Sequence, residues 1–307
     1  MEALKGRDFL SLADLTAAEL AQLLELAAQM KAGKIDPQCD RKVLGLLFYK
    51  ASTRTRVSFS VAMYQLGGQV IDLNPNVTQV SRGEPLADTA RVLDRYLDLI
   101  AIRTFEQADL ETFSQYAEIP VINALTDRAH PCQALADLLT VRECFGSCEG
   151  VTLTYLGDGN NVAHSLLLGC AMVGANVRVA CPEGYEPAAD ILETARSLAG
   201  DGVEVTVTQD PEAAVKGANV LYTDVWASMG QESQAQARLP LFKPYQLNET
   251  LLAKAEPDAI ALHCLPAHRG EEISNGAIES KQSRVWDQAE NRMHAQRALL
   301  ASLLGIV

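Results

Sequence analysis

The feature that most constrains this chain is a recurrence of short apolar runs that do not alternate with polar residues, separated by stretches of helical periodicity. Runs at 43–49, 70–73, 99–102 and the short 121–122 come first, and runs at 151–156, 177–180, 203–207, 220–222 and 259–262 follow. A strand that is apolar at successive positions is covered on both faces, and helices between such strands make the crossovers that parallel sheets need. Helical patterns fill the gaps at 53–66, 85–97, 131–144, 162–173 and 188–198. A further helix is announced by a capping box, Thr16-Ala17-Ala18-Glu19, ahead of an apolar stripe at Leu20, Leu23, Leu24 and Ala27. The alternation breaks between Gly146 and Gly150 and then restarts. The pattern predicts an α/β protein of two doubly wound parallel-sheet domains, 1–142 and 143–286, joined near 135–150. A C-terminal helix within 287–307 is expected to pack back on the first domain.

Composition bears on size and partners. At 307 residues the chain exceeds what one hydrophobic core usually supports, in keeping with two domains. Its 26 Lys+Arg against 39 Asp+Glu give a formal charge of −13. Nucleic acid and anionic membrane surfaces need a cationic face, so neither is expected as a partner. A small anionic ligand remains compatible, because it senses local charge. Seven cysteines without a C-x-x-C pair predict reduced thiols and a cytoplasmic protein. The first residues show no basic segment followed by an apolar run, and no window approaches the ~18 apolar residues of a membrane span.

Five segments carry chemistry. In Ser52-Thr53-Arg54-Thr55-Arg56 a strand gives way to a helix through three hydroxyls interleaved with two arginines. A helix N-terminus offers unpaired N–H groups and partial positive charge, and a guanidinium fork matches phosphate oxygens. The segment therefore predicts an anion site, although an N-cap serine alone would explain one of its hydroxyls. In His130-Pro131-Cys132-Gln133 the proline starts a helix, so His130 and Gln133 face its mouth. The helix dipole disfavours a charged imidazole there, so His130 would donate one hydrogen bond to a carbonyl oxygen, or simply cap the helix. Cys132 reads as core, since nothing pairs it with a base.

The third segment, Leu156-Gly157-Asp158-Gly159-Asn160-Asn161-Val162, stands where a dinucleotide fingerprint would. The third glycine would fall at Val162, so the fingerprint fails and a nucleotide-dependent oxidoreductase is disfavoured. Asn161 can serve a small polar ligand, while the glycines alone need only a tight turn. The fourth and fifth are Asp224-Val225-Trp226-Ala227-Ser228-Met229-Gly230 and His263-Cys264-Leu265-Pro266, each following a predicted strand. Asp224 suits an ammonium group. His263 and Cys264 are adjacent on an extended chain and point opposite ways, and no further Cys/His set lies at zinc spacing, so no metal is expected.

Together these segments resemble the aspartate/ornithine carbamoyltransferase superfamily, across nearly the whole chain and in the family's order. The S-T-R-T-R run, Arg103, H-P-C-Q, Asn161, Asp224 with S-M-G, H-C-L-P and Arg292 in Glu290-Asn291-Arg292-Met293 carry the likeness. The S-M-G and H-C-L-P motifs favour an amine acceptor over aspartate. The resemblance implies transfer of a carbamoyl group from carbamoyl phosphate to the side-chain amine of L-ornithine, giving L-citrulline and phosphate within arginine metabolism, without a cofactor. It implies a first domain for carbamoyl phosphate, a second for ornithine, and a homotrimer or a multiple of trimers. By it Ser52, Thr53, Arg54, Thr55, Gln79 and Arg292 hold carbamoyl phosphate, with Pro131 and Cys132 beside it. Arg103 and His130 bind its carbonyl oxygen, and Gln133, Cys264 and Leu265 lie near its amine. Asn161, Asp224, Ser228 and Met229 hold ornithine, and Arg103, His130, Asp224 and Cys264 are the catalytic set. Arg54, Arg56, Arg103 and Arg292 are expected to converge into one positive pocket.

Overall fold

In a computed structural model, which describes residues 2–74, 83–227 and 235–307, the chain forms two compact units. The first comprises Met1–Ala136 with Glu290–Val307, and the second Asp137–Ala289. Each contains one parallel sheet wrapped by helices.

In the first unit α1 (Ala17–Lys31) leads to β1 (Val43–Phe48), α2 (Thr53–Gln65), β2 (Gln69–Leu73), α3 (Leu86–Leu93) and β3 (Leu99–Arg103). α4 (Gln107–Tyr116), β4 (Val121–Leu125) and the start of α5 (Pro131–Phe145) follow. The strand order is β2-β1-β3-β4, all parallel. β3 and β4 are buried at every position, as continuous apolar runs require. β2 departs from that expectation: it is an edge strand with Ile71 exposed. α1 starts as its sequence announces, with Thr16 accepting from the Glu19 N–H while Glu19 reaches back to the Thr16 N–H.

In the second unit β5 (Thr152–Leu156), α6 (Asn161–Met172), β6 (Asn176–Ala180), α7 (Ala189–Leu198), β7 (Val205–Thr208), α8 (Pro211–Val215) and β8 (Val220–Thr223) succeed one another. α9 (Ala235–Phe242), α10 (Glu249–Leu252), β9 (Ile260–His263), α11 (Asn275–Ile278) and α12 (Val285–Leu304) complete the described elements. The sheet order is β7-β6-β5-β8-β9. Its core gathers Leu156, Leu221, Leu247, Ala261, Ile273 and Val285.

Both sheets reverse their winding once, between β1 and β3 in the first and between β5 and β8 in the second. Open α/β sheets bind ligands at the carboxyl ends of the strands flanking such a reversal. Those ends carry the Ser52 and Arg103 segments in one unit, and the Asn160 and Asp224 segments in the other. The C-terminal helix returns to the first unit from Glu290 onward, where Lys31 Nζ donates to Asn291 Oδ1 at 2.8 Å.

Candidate active site

In the first unit, Ser52 caps α2 by accepting from the Thr55 N–H at 3.3 Å. Thr53 and Arg54, the first two helical residues, are exposed at this N-terminus. Thr55 is buried, and its hydroxyl accepts from Arg292 Nη2 at 3.0 Å. The same guanidinium donates through Nη1 to Gln133 Oε1 at 2.6 Å, so Arg292 ties the start of α2 to the first turn of α5. Arg103 ends β3 beside Phe48 of β1 and is 8 % exposed. His130 immediately precedes Pro131, the first residue of α5.

Burial, followed by the charges of Arg292, Arg103 and Arg54, pushes the His130 imidazole well below its ordinary range. A neutral ring among three cations is a hydrogen-bonding group rather than a fourth charge. Linkage gives this a sign. Above about pH 6.5 the ring is neutral whether the chain is folded or unfolded; below it the unfolded chain takes up the proton more readily. Stability from this group is therefore present above that pH and lost as pH falls. The melting temperature of the wild type is expected to drop more steeply between about pH 7 and pH 5.5 than that of His130→Gln. Parallel thermal-melt curves of the two proteins would contradict this.

Arg56 does not join the cluster. It pairs with Asp72 on β2, and its guanidinium carbon lies 5.1 Å from the Phe48 ring centroid. Arginine alternation in the S-T-R-T-R run places Arg54 and Arg56 about 200° apart around the helix, so the two cannot share one target. Among the described residues the arginines whose charge acts on His130 are Arg292, Arg103 and Arg54. Cys132 is core: its thiol donates to the Asn123 carbonyl of β4 at 3.4 Å, and burial pushes it up to about 12.

In the second unit, Asp224 follows β8 and is 7 % exposed. Its Oδ1 accepts from the Cys264 thiol at 2.9 Å and its Oδ2 from Asn160 Nδ2 at 2.9 Å. Burial and then the Asp224 carboxylate push the Cys264 thiol well up, so it stays protonated and donates. Asn160, which the sequence reading passed over in favour of Asn161, also caps α6 by accepting from the Val162 and Ala163 N–H groups. Asn161 is the first residue of that helix and is partly exposed. The signal for Asn160 was present, since asparagine is among the preferred N-cap residues.

Leu265 has a left-handed backbone, φ 59°, which side chains other than glycine rarely adopt. Its N–H donates to His263 Nδ1 at 2.8 Å, so the proton of that ring sits on Nε2, which faces Glu272 Oε1 at 2.9 Å. Asp224, His263 and Cys264 have ligand atoms within 4.8 Å of one another, but both ring nitrogens of His263 are already engaged. His268, Glu271 and Glu272 are the other such grouping among the described residues. A further anchor is Arg238 of α9. Its Nη1 donates to Asp158 Oδ2 and to the Trp226 carbonyl, both at 2.7 Å. Gln79, Ser228 and Met229 lie outside the described residues.

A parallel α/β chain with a cationic anion site on one unit and a buried carboxylate on the other has the parts of a group-transfer enzyme for an anionic donor and an amine acceptor. Residues 7–143 match the family model described as the aspartate/ornithine carbamoyltransferase carbamoyl-P binding domain, and residues 149–303 match the Asp/Orn binding domain. The chain belongs to the aspartate/ornithine carbamoyltransferase family. It is 70 % identical over 305 residues to an ornithine carbamoyltransferase of Nostoc punctiforme, covering 99 % of each chain. A crystal structure of ornithine carbamoyltransferase from Gloeobacter violaceus is 57 % identical with a TM-score of 0.90, covering 98 % of this chain and 100 % of that one. The enzyme from Pyrococcus furiosus is 51 % identical with a TM-score of 0.95, covering 99 % of both chains.

Proposed function

We propose that this chain transfers the carbamoyl group of carbamoyl phosphate to the side-chain amine of L-ornithine, forming L-citrulline and phosphate. The observation that carries the reading is Asp224, a carboxylate nearly sealed from solvent and held by two donors. Such a group attracts an ammonium-bearing acceptor and repels a second carboxylate, which favours ornithine over aspartate. The high identity to named ornithine carbamoyltransferases over the full chain supports the same choice.

In this reading Ser52, Thr53, Arg54 and Thr55 bind the phosphate through hydroxyls, the α2 N-terminus and the Arg54 fork. Gln79 adds a further contact. Arg103 and neutral His130 donate to the carbonyl oxygen, whose negative charge grows in the transition state. Gln133 acts by holding Arg292, because its Oε1 already accepts from that guanidinium. Pro131 sets the helix start, and Cys132 contributes through its place in the chain, its thiol being turned to the core. The Leu265 carbonyl is offered to the carbamoyl amine. Asn161, Asp224, Ser228 and Met229 hold ornithine, with Asp224 and Cys264 orienting its amine.

The chemistry balances simply. The amine, whose ordinary pKa is near 10, loses one proton to solvent, and its lone pair attacks the carbamoyl carbon. A C–N bond forms and charge collects on the carbonyl oxygen; collapse of the tetrahedral centre breaks the C–O bond to phosphate, and the second proton on the attacking nitrogen leaves with that phosphate. The arginine cluster stabilises the departing phosphate.

We propose further that the chain assembles as a homotrimer in the cytoplasm. All seven cysteines are free thiols, as in a reducing compartment. Val57 and Tyr64, seven residues apart on α2, and Ile71 on the edge strand β2 are exposed apolar side chains that a second subunit would cover. No helix among the described residues is long and apolar enough to cross a membrane. The function is tested by offering the purified protein carbamoyl phosphate with ornithine, aspartate or putrescine. Citrulline from ornithine is expected; ureido product from aspartate or putrescine, with none from ornithine, overturns the reading. Light scattering at a mass other than three chains would remove the trimer.

A further inference from the structure

Two fully buried tyrosines stand behind Asp224, and no step of the chemistry above uses either. Tyr155 of β5 and Tyr222 of β8 occupy paired positions in the parallel register, and their rings stack at 5.8 Å between centroids. β8 and β9 pair with Tyr222 beside Leu262 and Thr223 beside His263. Side chains alternate along a strand, so Tyr222, Asp224 and Cys264 emerge toward one face.

A path of contacts runs from each tyrosine to a different oxygen of the same carboxylate. The Tyr155 hydroxyl donates to Asn160 Oδ1 at 3.2 Å, and Asn160 Nδ2 donates to Asp224 Oδ2. On the other side the Cys264 thiol donates to Asp224 Oδ1 at 2.9 Å. The second arm has a fixed source. Gln288 is fully buried; its Nε2 donates to the Tyr222 hydroxyl at 3.1 Å and to Asp137 Oδ1 at 2.7 Å, and its Oε1 accepts from the His263 N–H at 2.9 Å. Gln288 thus ties the Tyr222 hydroxyl to the backbone of His263, the residue before Cys264.

We propose that Tyr155 and Tyr222 are paired positioning residues: each directs one donor, Asn160 or Cys264, onto one oxygen of Asp224, and together they fix the carboxylate for the acceptor amine. The inference rests on the ornithine reading of the Asp224 site. It assigns a role to groups that touch no substrate. A carboxylate with two aligned donors has its remaining lone pairs aimed in set directions, so an incoming ammonium meets an acceptor that needs no reorganisation. Burial, and then the carboxylates of Asp224 and Asp137, oppose ionisation of the Cys264 thiol, whereas the Tyr222 hydroxyl favours it. Removing that hydroxyl therefore leaves a mark on the thiol itself.

The test uses Tyr155→Phe and Tyr222→Phe in the full-length protein, since phenylalanine keeps ring and stacking and removes one hydroxyl. Each variant is expected to lower kcat/KM for ornithine about three- to tenfold, the equivalent of one net hydrogen bond. The KM for carbamoyl phosphate should stay within about twofold. A second readout needs no substrate: alkylation of Cys264 by iodoacetamide at one alkaline pH, quantified on its own peptide by mass spectrometry. Tyr222→Phe should slow this labelling and Tyr155→Phe should leave it unchanged, because only one arm passes through the thiol. General loosening of the unit would speed labelling in both variants. Unchanged ornithine kinetics in both, or labelling that is unchanged or faster in Tyr222→Phe, overturns the proposal. Citrulline formation by the wild type tests the underlying reading separately, so either can fail without the other.

Discussion

Arg54→Ala is expected to lower kcat/KM for carbamoyl phosphate by about 10²–10³-fold, the usual effect of deleting a donor aimed at developing charge. Its melting temperature should not move. The side chain is exposed at the second position of α2, so truncation opens no cavity and orphans no buried partner. Its electrostatic reach is nonetheless felt at His130, which is held neutral in part by this guanidinium. Steady-state kinetics with calorimetric binding of carbamoyl phosphate, beside a thermal melt, would check this. Full activity in the variant would remove the phosphate role from the α2 N-terminus.

Asp224→Asn is expected to cost a comparable factor on the other substrate. Deleting one member of a buried charge pair typically costs about 2–5 kcal/mol, or roughly 30- to 4000-fold in kcat/KM for ornithine. The substitution preserves volume but gives one position an N–H₂ group. That group would face either Asn160 Nδ2 or the Cys264 thiol, both of which now donate to the carboxylate. The carbamoyl phosphate affinity should be retained, because Asp224 and Arg54 belong to different units. A variant with equal losses on both substrates would argue that Asp224 only stabilises its own unit.

Much of this architecture was legible because buried parallel strands write themselves as uninterrupted apolar runs. β3 stands out for that reason, whereas Asn123 interrupts β4 and shortens its apolar run to 121–122 although every position is buried. α4 was missed because it buries only Leu110 and Phe113 and starts at Glu106 without a side-chain cap. α9 carries Pro240 inside it, which reads against a helix. α8 could have been found: Asp210 accepts from the Ala213 N–H and Pro211 follows it, a standard opening pair. The α3 pattern ran on to Leu97, while the helix ends at Leu93 and the next residues form a turn.

The site was legible by residue type but not by direction. A Ser/Thr/Arg-rich run signals an anion site, yet nothing in it says that Arg56 turns to Asp72. A G-x-G turn followed by two asparagines leaves the ligand-side residue undecided between them. The fold gives them different places: Asn160 follows β5 and donates to Asp224 beyond β8, while Asn161 opens α6. The tyrosine pair is invisible to motif reading, since Tyr155 and Tyr222 look like ordinary strand residues until the register sets them side by side.

Arg292 has a consequence for the order in which the molecule can be made. The guanidinium that joins Thr55 to Gln133 comes from the last helix. During synthesis the entire second unit, Asp137–Ala289, leaves the ribosome before that residue does. At about 5–20 residues per second, those 153 residues (289 − 137 + 1) represent roughly 8–30 s during which the first unit is missing its closing segment. A nascent chain stalled or truncated before Glu290 holds the whole second unit but lacks the segment that completes the first. In the proposed reading, where Arg292 takes part in holding carbamoyl phosphate, that competence is expected only once translation has nearly finished.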